Sequence, residues 1–260
     1  MTRWARFRAH TGQVGFGILE GDVVLEYEGN MFDAPRATGR TVPAGGFALL
    51  NPCLPGKIVA LWNNFHALAA KIGKQAPPHP LFFIKSGTSV IGPQELIKRP
   101  AGYEGKIVFE GELGIVIGKL AQDVSAHQAA EHIFGYTCVN DVTAIDLLFE
   151  NADFPQWGRS KSFDTFGCLG PVIATGFDAS KSRLSTRLDG IERQDYPLSD
   201  MIFPPHELVS LISRDVSLLP GDVIACGTSL GVGSIKDGAT VEIRIDGIGT
   251  LKNTLAPRIP

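Results

Sequence analysis

The sequence lacks the features that place a protein in a membrane, on a nucleic acid or in the secretory route. Its apolar runs all fall short of the roughly 18–20 residues that cross a bilayer. Its 24 lysines and arginines are scattered and slightly outnumbered by 27 acidic residues, which argues against a nucleic-acid partner. The start, MTRWARFRAH, is positively charged but no apolar core of signal-peptide length follows it. We therefore expect a cytoplasmic protein with neither a membrane nor a nucleic acid as partner.

Cysteine is also scarce. The four cysteines, Cys53, Cys138, Cys168 and Cys226, are far apart and form no C-x-x-C pair, which argues against a zinc knuckle or a thioredoxin-type site. Their neighbours are mostly small or apolar, as expected of buried thiols in a reducing compartment. A catalytic cysteine is the alternative, and burial is the better interpretation.

What the chain has in abundance is glycine and proline, which divide it into short segments. Most apolar segments alternate or are β-branched and predict strands, among them Val14–Leu19, Ile107–Ile117, Thr240–Ile245 and Thr250–Leu255. Helices are predicted at 65–72, ending at Gly73, at 126–132, and after the pair Pro204-Pro205. Strands and helices do not alternate regularly. The fold class predicted is therefore a β-rich α+β fold rather than a doubly wound parallel sheet.

The first 50 or so residues read as a small strand-rich unit that ends near Asn51-Pro52. We expect a small N-terminal β domain over residues 1–54 and a catalytic domain over residues 55–260. No G-x-G-x-x-G follows a strand and opens a helix, which argues against a dinucleotide oxidoreductase.

Three carboxylates form the first candidate site. Residues two apart in a strand share a face, so Glu110 and Glu112 project together from an otherwise apolar segment. The next apolar strand ends in Asp141. Three carboxylates without histidine or cysteine favour Mg²⁺ or Mn²⁺ over zinc. The alternatives are a solvated pair of glutamates on an edge strand and a turn or helix cap at Asp141.

Two further segments carry candidate substrate-binding residues. The run from Gln156 to Gly167 places Lys161 among aromatic residues, and a lysine near a carboxylate cluster can hold a substrate oxyanion. Arg159 and Asp164 lie in the same run, whose alternative is a solvated surface loop. The run from Gly227 to Gly233 lacks the ending of a nucleotide P-loop, but Thr228 and nearby backbone N–H groups are suited to a small carboxylate. A glycine-rich turn is the alternative there.

Taken in order, these segments resemble the fumarylacetoacetate hydrolase family. The resemblance covers the chain from about Lys57 onward and is carried by four stretches. They are Phe-Glu110-Gly-Glu112-Leu-Gly-Ile-Val-Ile-Gly, Gly135-Tyr-Thr-Cys-Val-Asn-Asp141-Val-Thr-Ala-Ile-Asp-Leu, Gln156-Trp-Gly-Arg-Ser-Lys161-Ser-Phe-Asp164-Thr-Phe and Gly221-Asp-Val-Ile-Ala-Cys-Gly227-Thr228.

The resemblance implies a mixed β-roll or sandwich catalytic domain behind a small N-terminal domain, usually in a homodimer. It implies Mg²⁺ or Mn²⁺ held by Glu110, Glu112 and Asp141, with Lys161 stabilising the enolate or a substrate oxygen and Thr228 binding the substrate carboxylate. Lys85, in Phe-Phe-Ile-Lys85, resembles the family's Phe-Leu-Lys-Pro stretch, with Ser86 in place of proline. Lys85 is therefore a further candidate for substrate binding.

One segment departs from the family pattern. Many hydrolytic members carry a histidine, and three residues later a glutamate, on a lid helix, but Leu68 and Lys71 occupy those positions here. His66 lies two residues early and is either a displaced base or a residue near the helix start.

The resemblance implies a small 2-oxo acid as the substrate. The first hypothesis is C–C hydrolysis of an acylpyruvate-like acid from aromatic breakdown. The second is an isomerase or decarboxylase acting on a substrate of the 2-hydroxyhepta-2,4-diene-1,7-dioate type. A non-catalytic metal-binding relative is the rival from another class.

Overall fold

The computed structural model describes residues 1–258 and contains twenty strands and five α-helices. The first ten strands are β1 Thr2–Ala9, β2 Val14–Glu20, β3 Val23–Asn30, β4 Asp33–Val42, β5 Phe47–Leu49, β6 Lys57–Trp62, β7 Leu81–Ser86, β8 Val90–Ile91, β9 Leu96–Ile97 and β10 Ile107–Phe109. The others are β11 Gly111–Ile117, β12 Ile133–Asp141, β13 Thr143–Ala144, β14 Gly167–Thr175, β15 Arg183–Leu188, β16 Ile191–Pro197, β17 Val223–Ala225, β18 Gly233–Ile235, β19 Thr240–Ile245 and β20 Gly249–Leu255. The helices are α1 His66–Lys71, α2 Ala126–Ala129, α3 Ile145–Leu148, α4 Trp157–Lys161 and α5 Pro205–Asp215, with short 3-10 turns at Gly87–Ser89, Ala130–His132, Ala179–Lys181 and Leu198–Asp200.

The strands form three sheets. The largest has the order β4-β3-β2-β1-β14-β12-β11-β17-β6-β7, with β5 added to β1 and β8 added to β14. A five-stranded sheet has the order β16-β15-β19-β20-β9, and a three-stranded sheet has the order β13-β10-β18. Most neighbours are antiparallel, but β17 with β6, β14 with β8 and β20 with β9 are parallel. The predicted β-rich fold with mixed sheets is confirmed.

The centre of the large sheet is buried on both faces. All seven residues of β11 are buried. Leu113 and Ile115 belong to one hydrophobic core, which also includes Ile243 and Leu251 of the five-stranded sheet. Val116 of the same strand belongs to a second core on the other face. This double burial explains why the segment is apolar at nearly every position rather than alternating.

The predicted strand Ile107–Ile117 is divided in the structure. Its first part, β10, pairs with β13 and β18, whereas its second part, β11, pairs with β12 and β17 of the large sheet. The chain passes from one sheet to the other at Glu110. There the backbone N–H of Glu110 donates to Asn140 Oδ1 (3.1 Å), and its carbonyl accepts from the N–H of Asp141 (2.9 Å). The break therefore lies at the first candidate ligand.

The predicted helices are present, with shorter bounds. The residue Gly73, just beyond α1, has φ +66°, a conformation that glycine adopts without a steric cost. In α5, Pro205 occupies the first turn and the buried residues Leu208 and Ile212 share one face. The third predicted helix, at 126–132, is α2 followed by a 3-10 turn. Within residues 1–258, none of the helices combines the length and the apolar character needed to cross a membrane.

The N-terminal strands continue the large sheet. Strand β1 pairs with β14 through Thr2↔Thr175, Arg3↔Ala174 and Trp4↔Ile173. Strands β1 to β5 all precede residue 54, so this edge of the sheet is formed by the segment predicted as a separate N-terminal domain. The division into residues 1–54 and 55–260 stays a prediction.

Candidate metal and active site

The structure brings the three predicted carboxylates together. Glu110 lies at the break between β10 and β11, Glu112 lies in β11, and Asp141 ends the neighbouring strand β12. One carboxylate oxygen from each residue lies within 4.8 Å of those of the other two. Glu112 and Asp141 are fully buried, and the side chain of Glu110 keeps 17% of its accessible surface. The cluster is thus open to solvent mainly on the Glu110 side.

Two lysines balance most of this negative charge. Lys161 Nζ, at the end of α4, lies 2.7 Å from Glu110 Oε1 and 2.7 Å from Asp141 Oδ2. Lys85 Nζ, from β7, pairs with Asp141 Oδ1 and also donates to the carbonyl of Phe166 (2.9 Å). Both lysines are buried. Two ammonium groups against three carboxylates leave one formal negative charge at the centre of the cluster.

The burial of these groups shifts their protonation equilibria in different directions. Burial, together with the charges of Asp141 and Glu110, raises the pKa of Glu112 well above its usual range. Burial also acts to raise the pKa of Asp141, but Lys161 and Lys85 outweigh it and the pKa is lowered. The opposite holds for Lys161, where burial acts to lower the pKa and the two carboxylates raise it. Burial lowers the pKa of Lys85, against the charge of Asp141.

The donor set fits a divalent cation. Glu112 Oε2 accepts a hydrogen bond from the backbone N–H of Gly227 (2.9 Å), whereas Glu112 Oε1 is buried and has no hydrogen-bond partner among the described residues. A buried carboxylate oxygen without a partner is costly, and a cation would satisfy it. Oxygen ligands alone are the set that hard cations prefer. The residues present therefore suit such an ion, with Glu110, Glu112 and Asp141 as its holders.

The peptide between the two glutamates is clamped from both sides. The carbonyl of Gly111 accepts hydrogen bonds from Tyr196 OH (2.6 Å) and Thr228 Oγ1 (2.9 Å). Its N–H donates to Gln194 Oε1 (3.0 Å), and Gln194 Nε2 in turn donates to Thr228 Oγ1 (2.9 Å). This ring of hydrogen bonds fixes the backbone that carries Glu110 and Glu112.

Glycine is required at position 111 for a steric reason. A Cβ atom there would lie 2.3 Å from Thr186 Oγ1 and 2.9 Å from Gln194 Oε1. We expect Gly111→Ala to destabilise the protein by about 1–3 kcal/mol, the usual cost of an added methyl in a packed interior. Urea unfolding measures this directly. Adding Thr186→Ala should restore part of the loss, because it removes the nearest atom, and no recovery in the double variant would contradict the assigned clash.

The other predicted site residues form no hydrogen bond or ion pair with the three carboxylates among residues 1–258. The Thr228 hydroxyl donates its proton to the carbonyl of Gly111. The contact predicted between Thr228 and a substrate carboxylate stays a prediction. Arg159 is exposed and pairs with Glu150 (3.3 Å), and Asp164 is exposed. His66 is exposed at the start of α1 and, within residues 1–258, makes no hydrogen bond or ion pair to the three carboxylates. The roles predicted for these residues remain untested expectations.

Several contacts of the site are absent from the sequence predictions. Thr143 Oγ1 donates to Glu110 Oε1 (2.7 Å), and its position two residues after Asp141 was a signal that such a contact was possible. Gln194 and Tyr196 lie two apart in β16 and reach Gly111 from more than 80 residues away along the chain. Nothing in their local sequence indicates this contact. The glycine between two glutamates was the available hint that the backbone there is closely packed.

The four cysteines are all buried and unpaired within the described chain. Burial raises the pKa of Cys53 and of Cys138 to about 12, and it also raises the pKa of Cys168 and Cys226. They rest as thiols rather than thiolates, which favours the structural interpretation given by the sequence.

The fold and the site together define a strand-rich protein with a buried carboxylate and lysine cluster that is suited to a cation. Residues 57–256 match the family described as fumarylacetoacetate (FAA) hydrolase, C-terminal, and residues 2–52 match a family described as Rv2993c-like, N-terminal. The chain belongs to the fumarylacetoacetate hydrolase family. The resemblance seen in the sequence is thereby confirmed.

Three relatives illustrate the range of activities named in this family. A Mycobacterium marinum structure described as 2-hydroxyhepta-2,4-diene-1,7-dioate isomerase is 38% identical and has a TM-score of 0.90, with 100% of both chains covered. A Mycobacterium smegmatis structure described as 5-carboxymethyl-2-hydroxymuconate delta-isomerase is 41% identical, with a TM-score of 0.90 and coverage of 98% of this chain and 100% of that one. The oxaloacetate tautomerase YisK of Bacillus subtilis is 36% identical over 76% of this chain and 69% of its own.

Proposed function

We propose that the protein is a divalent-metal-dependent enzyme that relocates a proton on a small 2-oxo acid, as a tautomerase or isomerase. The observation that carries this proposal is the buried cluster of Glu110, Glu112 and Asp141, in which one oxygen of Glu112 has no partner and Lys161 lies at the more open side. Mg²⁺ or Mn²⁺ is the proposed cofactor because the donor set is all oxygen. We also propose that the protein forms a homodimer, as the sequence resemblance implies.

Charge complementarity supports a monoanionic substrate group at this site. A divalent cation would turn the formal charge of the cluster from one negative to one positive, which suits a carboxylate. When bound, the cation would act as a Lewis acid toward the oxygens of a 2-oxo acid. The chain's own contribution is to hold Glu110, Glu112 and Asp141 in place through Thr143, Gly227 and Lys85.

Lys161 is the residue best placed to act on the substrate. Its ammonium group has three donors, and Glu110 and Asp141 use two of them. In the metal-free site these carboxylates raise the pKa of Lys161, so its ammonium group offers a fixed positive charge and a hydrogen-bond donor there. Its remaining N–H is available to an oxyanion, and a donor of this kind stabilises an enolate as charge develops.

Hydrolysis of an acylpyruvate-like acid, the first hypothesis from the sequence, becomes the second candidate, because C–C cleavage also releases an enolate that Lys161 would stabilise. The names of the three relatives above and the lid residues Leu68 and Lys71 favour proton relocation. In the structure Leu68 packs against the main core and Lys71 is exposed. Neither side chain is of a kind that activates water as a histidine–glutamate pair does.

A proton NMR assay in D₂O tests the proposal. With Mg²⁺ and pyruvate, oxaloacetate or acetylpyruvate, we expect deuterium to enter at C3 faster than without enzyme, and no cleavage of acetylpyruvate. Cleavage of acetylpyruvate to acetate and pyruvate would assign the hydrolase instead. No exchange and no cleavage, in a protein whose unfolding temperature rises with Mg²⁺, would leave only a metal-binding relative.

Two variants separate the roles of Lys161 and His66 in the same assay. We expect Lys161→Met to lower the exchange rate by about 10²–10³-fold, the usual loss when one donor to a developing oxyanion is removed. His66→Ala should stay within about twofold of the wild type, since a general base would cost about 10²-fold or more. A loss of that size in His66→Ala would restore His66 as a displaced base.

A further inference from the structure

An apolar cavity of about 520 Å³ lies beside the candidate site. Its volume is within the range that small-molecule sites occupy. Five aromatic residues line it, together with one charged residue, Lys74, whose side chain is exposed. The aromatic residues are Trp62, Phe82, Phe83, Phe149 and Trp157. We call this the aromatic cavity.

Strand β7 runs from the aromatic cavity to the site. Its side chains alternate between two faces, so Leu81, Phe83 and Lys85 share one face. Leu81 and Phe83 line the aromatic cavity on this face, Phe82 lines it from the other face, and Lys85, two residues after Phe83, pairs with Asp141. The strand therefore places apolar and charged groups side by side, about 6–7 Å apart along the same face.

Helix α4 makes the same connection. Trp157 lines the aromatic cavity at its first residue, and Lys161, one turn later, reaches Glu110 and Asp141. The ring of Phe83 joins the two regions. Its centroid lies 5.4 Å from Lys161 Nζ and 5.5 Å from the stacked ring of Trp157. The ring of Phe83 thus lies between Lys161 of the charged cluster and Trp157 of the aromatic cavity.

From this arrangement we infer that the aromatic cavity takes the non-reacting end of the substrate, and that this end is an aryl group rather than a second carboxylate. The inference rests on the proposed function, since it assumes a 2-oxo acid held beside Lys161. A few carbon atoms of a substrate would span the separation between the charged cluster and the aromatic cavity.

The chemistry of the lining favours an aryl group. Aromatic walls stabilise a ring through area burial and through stacked or edge-on contacts. A carboxylate placed among them would lose hydration without a buried partner. The exposed Lys74 is hydrated already and supplies no buried charge for an anion. Phe149 is 65% exposed, with its ring edge-on to Trp157 at 6.4 Å, and a bound ring would cover this face.

The test compares three 2-oxo acids in the D₂O exchange assay with the intact protein and Mg²⁺. Pyruvate has no tail, oxaloacetate carries a second carboxylate, and phenylpyruvate carries an aryl group. We expect kcat/KM for phenylpyruvate to exceed that for oxaloacetate by about tenfold or more, the factor that roughly one favourable aromatic contact supplies. A preference for oxaloacetate, with pyruvate exchanged normally, would overturn the aryl assignment while leaving the proposed function intact.

The variant Phe149→Ala tests the cavity itself, and Phe154→Ala is its matched control. Both phenylalanines are in the α3–α4 connection and similarly exposed, at 65% and 68%, but only Phe149 lines the cavity. We expect Phe149→Ala to lower kcat/KM for phenylpyruvate about tenfold by raising KM. The kcat/KM for pyruvate should stay within about twofold of the wild-type value. Phe154→Ala should change neither. An equal loss for both acids in Phe149→Ala would contradict a tail site.

Two other outcomes are distinguishable. If a second copy of the chain covers the cavity instead, Phe149→Ala should shift the sedimenting species toward monomer without altering the preference among acids. If none of the three acids undergoes exchange, the proposed function fails. Calorimetry then tests the inference independently of activity. Saturable binding of phenylpyruvate that is weaker in Phe149→Ala would support the inference, and the absence of binding would overturn it.

Discussion

Replacing Asp141 with alanine is expected to destabilise the protein by about 3–5 kcal/mol, the usual cost of leaving a buried charge without its partner. Asp141 pairs with both Lys85 and Lys161, and all three side chains are almost fully buried. Lys161 would keep Glu110 as a partner, whereas Lys85 would keep only backbone carbonyls. Urea unfolding of the metal-free protein measures the loss without any contribution from a bound cation.

Asp195→Ala is the matched control for this measurement. Asp195 forms an ion pair with Arg183 at 3.0 Å, and both side chains are about half exposed. Such a pair contributes about 0–1 kcal/mol, so the control should unfold near the wild-type midpoint. Lys85→Met combined with Asp141→Ala should cost less than the sum of the two single changes, because the residues share one interaction. Equal, small losses in Asp141→Ala and Asp195→Ala would show that the buried pair is not formed.

Replacing Glu112 with glutamine is expected to remove metal-dependent activity without weakening the metal-free protein. Glu112 is fully buried between two other carboxylates, and its oxygen Oε1 has no partner within the described chain. Glutamine keeps an acceptor for the N–H of Gly227 and removes the repulsion. We expect the metal-free variant to be at least as stable as the wild type. In Mg²⁺ at 100 times its Kd, only the wild type should gain about 2.7 kcal/mol.

Thermal unfolding with and without Mg²⁺ checks this, together with the exchange assay. Glu150→Gln is the control, since Glu150 is exposed and pairs with Arg159 away from the cluster. We expect it to keep both the response to Mg²⁺ and the exchange activity. An unchanged response to Mg²⁺ in Glu112→Gln would remove Glu112 from the metal site.

The strands and the candidate ligands could be predicted from the sequence because each depends on a pattern within a short segment of the chain. Apolar alternation predicted β2, β19 and β20 within one residue of their bounds. The E-x-E pattern and the strand end at Asp141 predicted the three carboxylates that the structure brings within 4.8 Å. Each predicted strand, and each predicted carboxylate, is set by a pattern within one strand or at its end, and the pairing of β11 with β12 then brings the carboxylates together.

The remaining parts depend on pairings between distant segments. The break at Glu110 divides one predominantly apolar run between two sheets, since Ile107–Phe109 pairs with β18 and Gly111–Ile117 pairs with β17. The clamp on Gly111 depends on β16, and the pairing of Lys85 with Asp141 joins β7 to the end of β12, although three strands separate them in the sheet order. Single-sequence patterns carry no information about such neighbours, so Gln194 and Tyr196 were missed.

The alternation in β7 and the single turn of α4 have a consequence for how this protein can diversify. The cavity positions, Leu81 and Phe83 on the strand and Trp157 on the helix, are separate from the charged positions, Lys85 and Lys161. With the inferred tail site, substitutions at the first set would change which acids are accepted while the pairing of Lys85 and Lys161 with Asp141 is kept. An insertion would disrupt the charged network, because one extra residue in the strand would turn Lys85 to the opposite face. The face that Lys85 occupies therefore depends on the length of the strand and not on which side chains stand at the cavity positions.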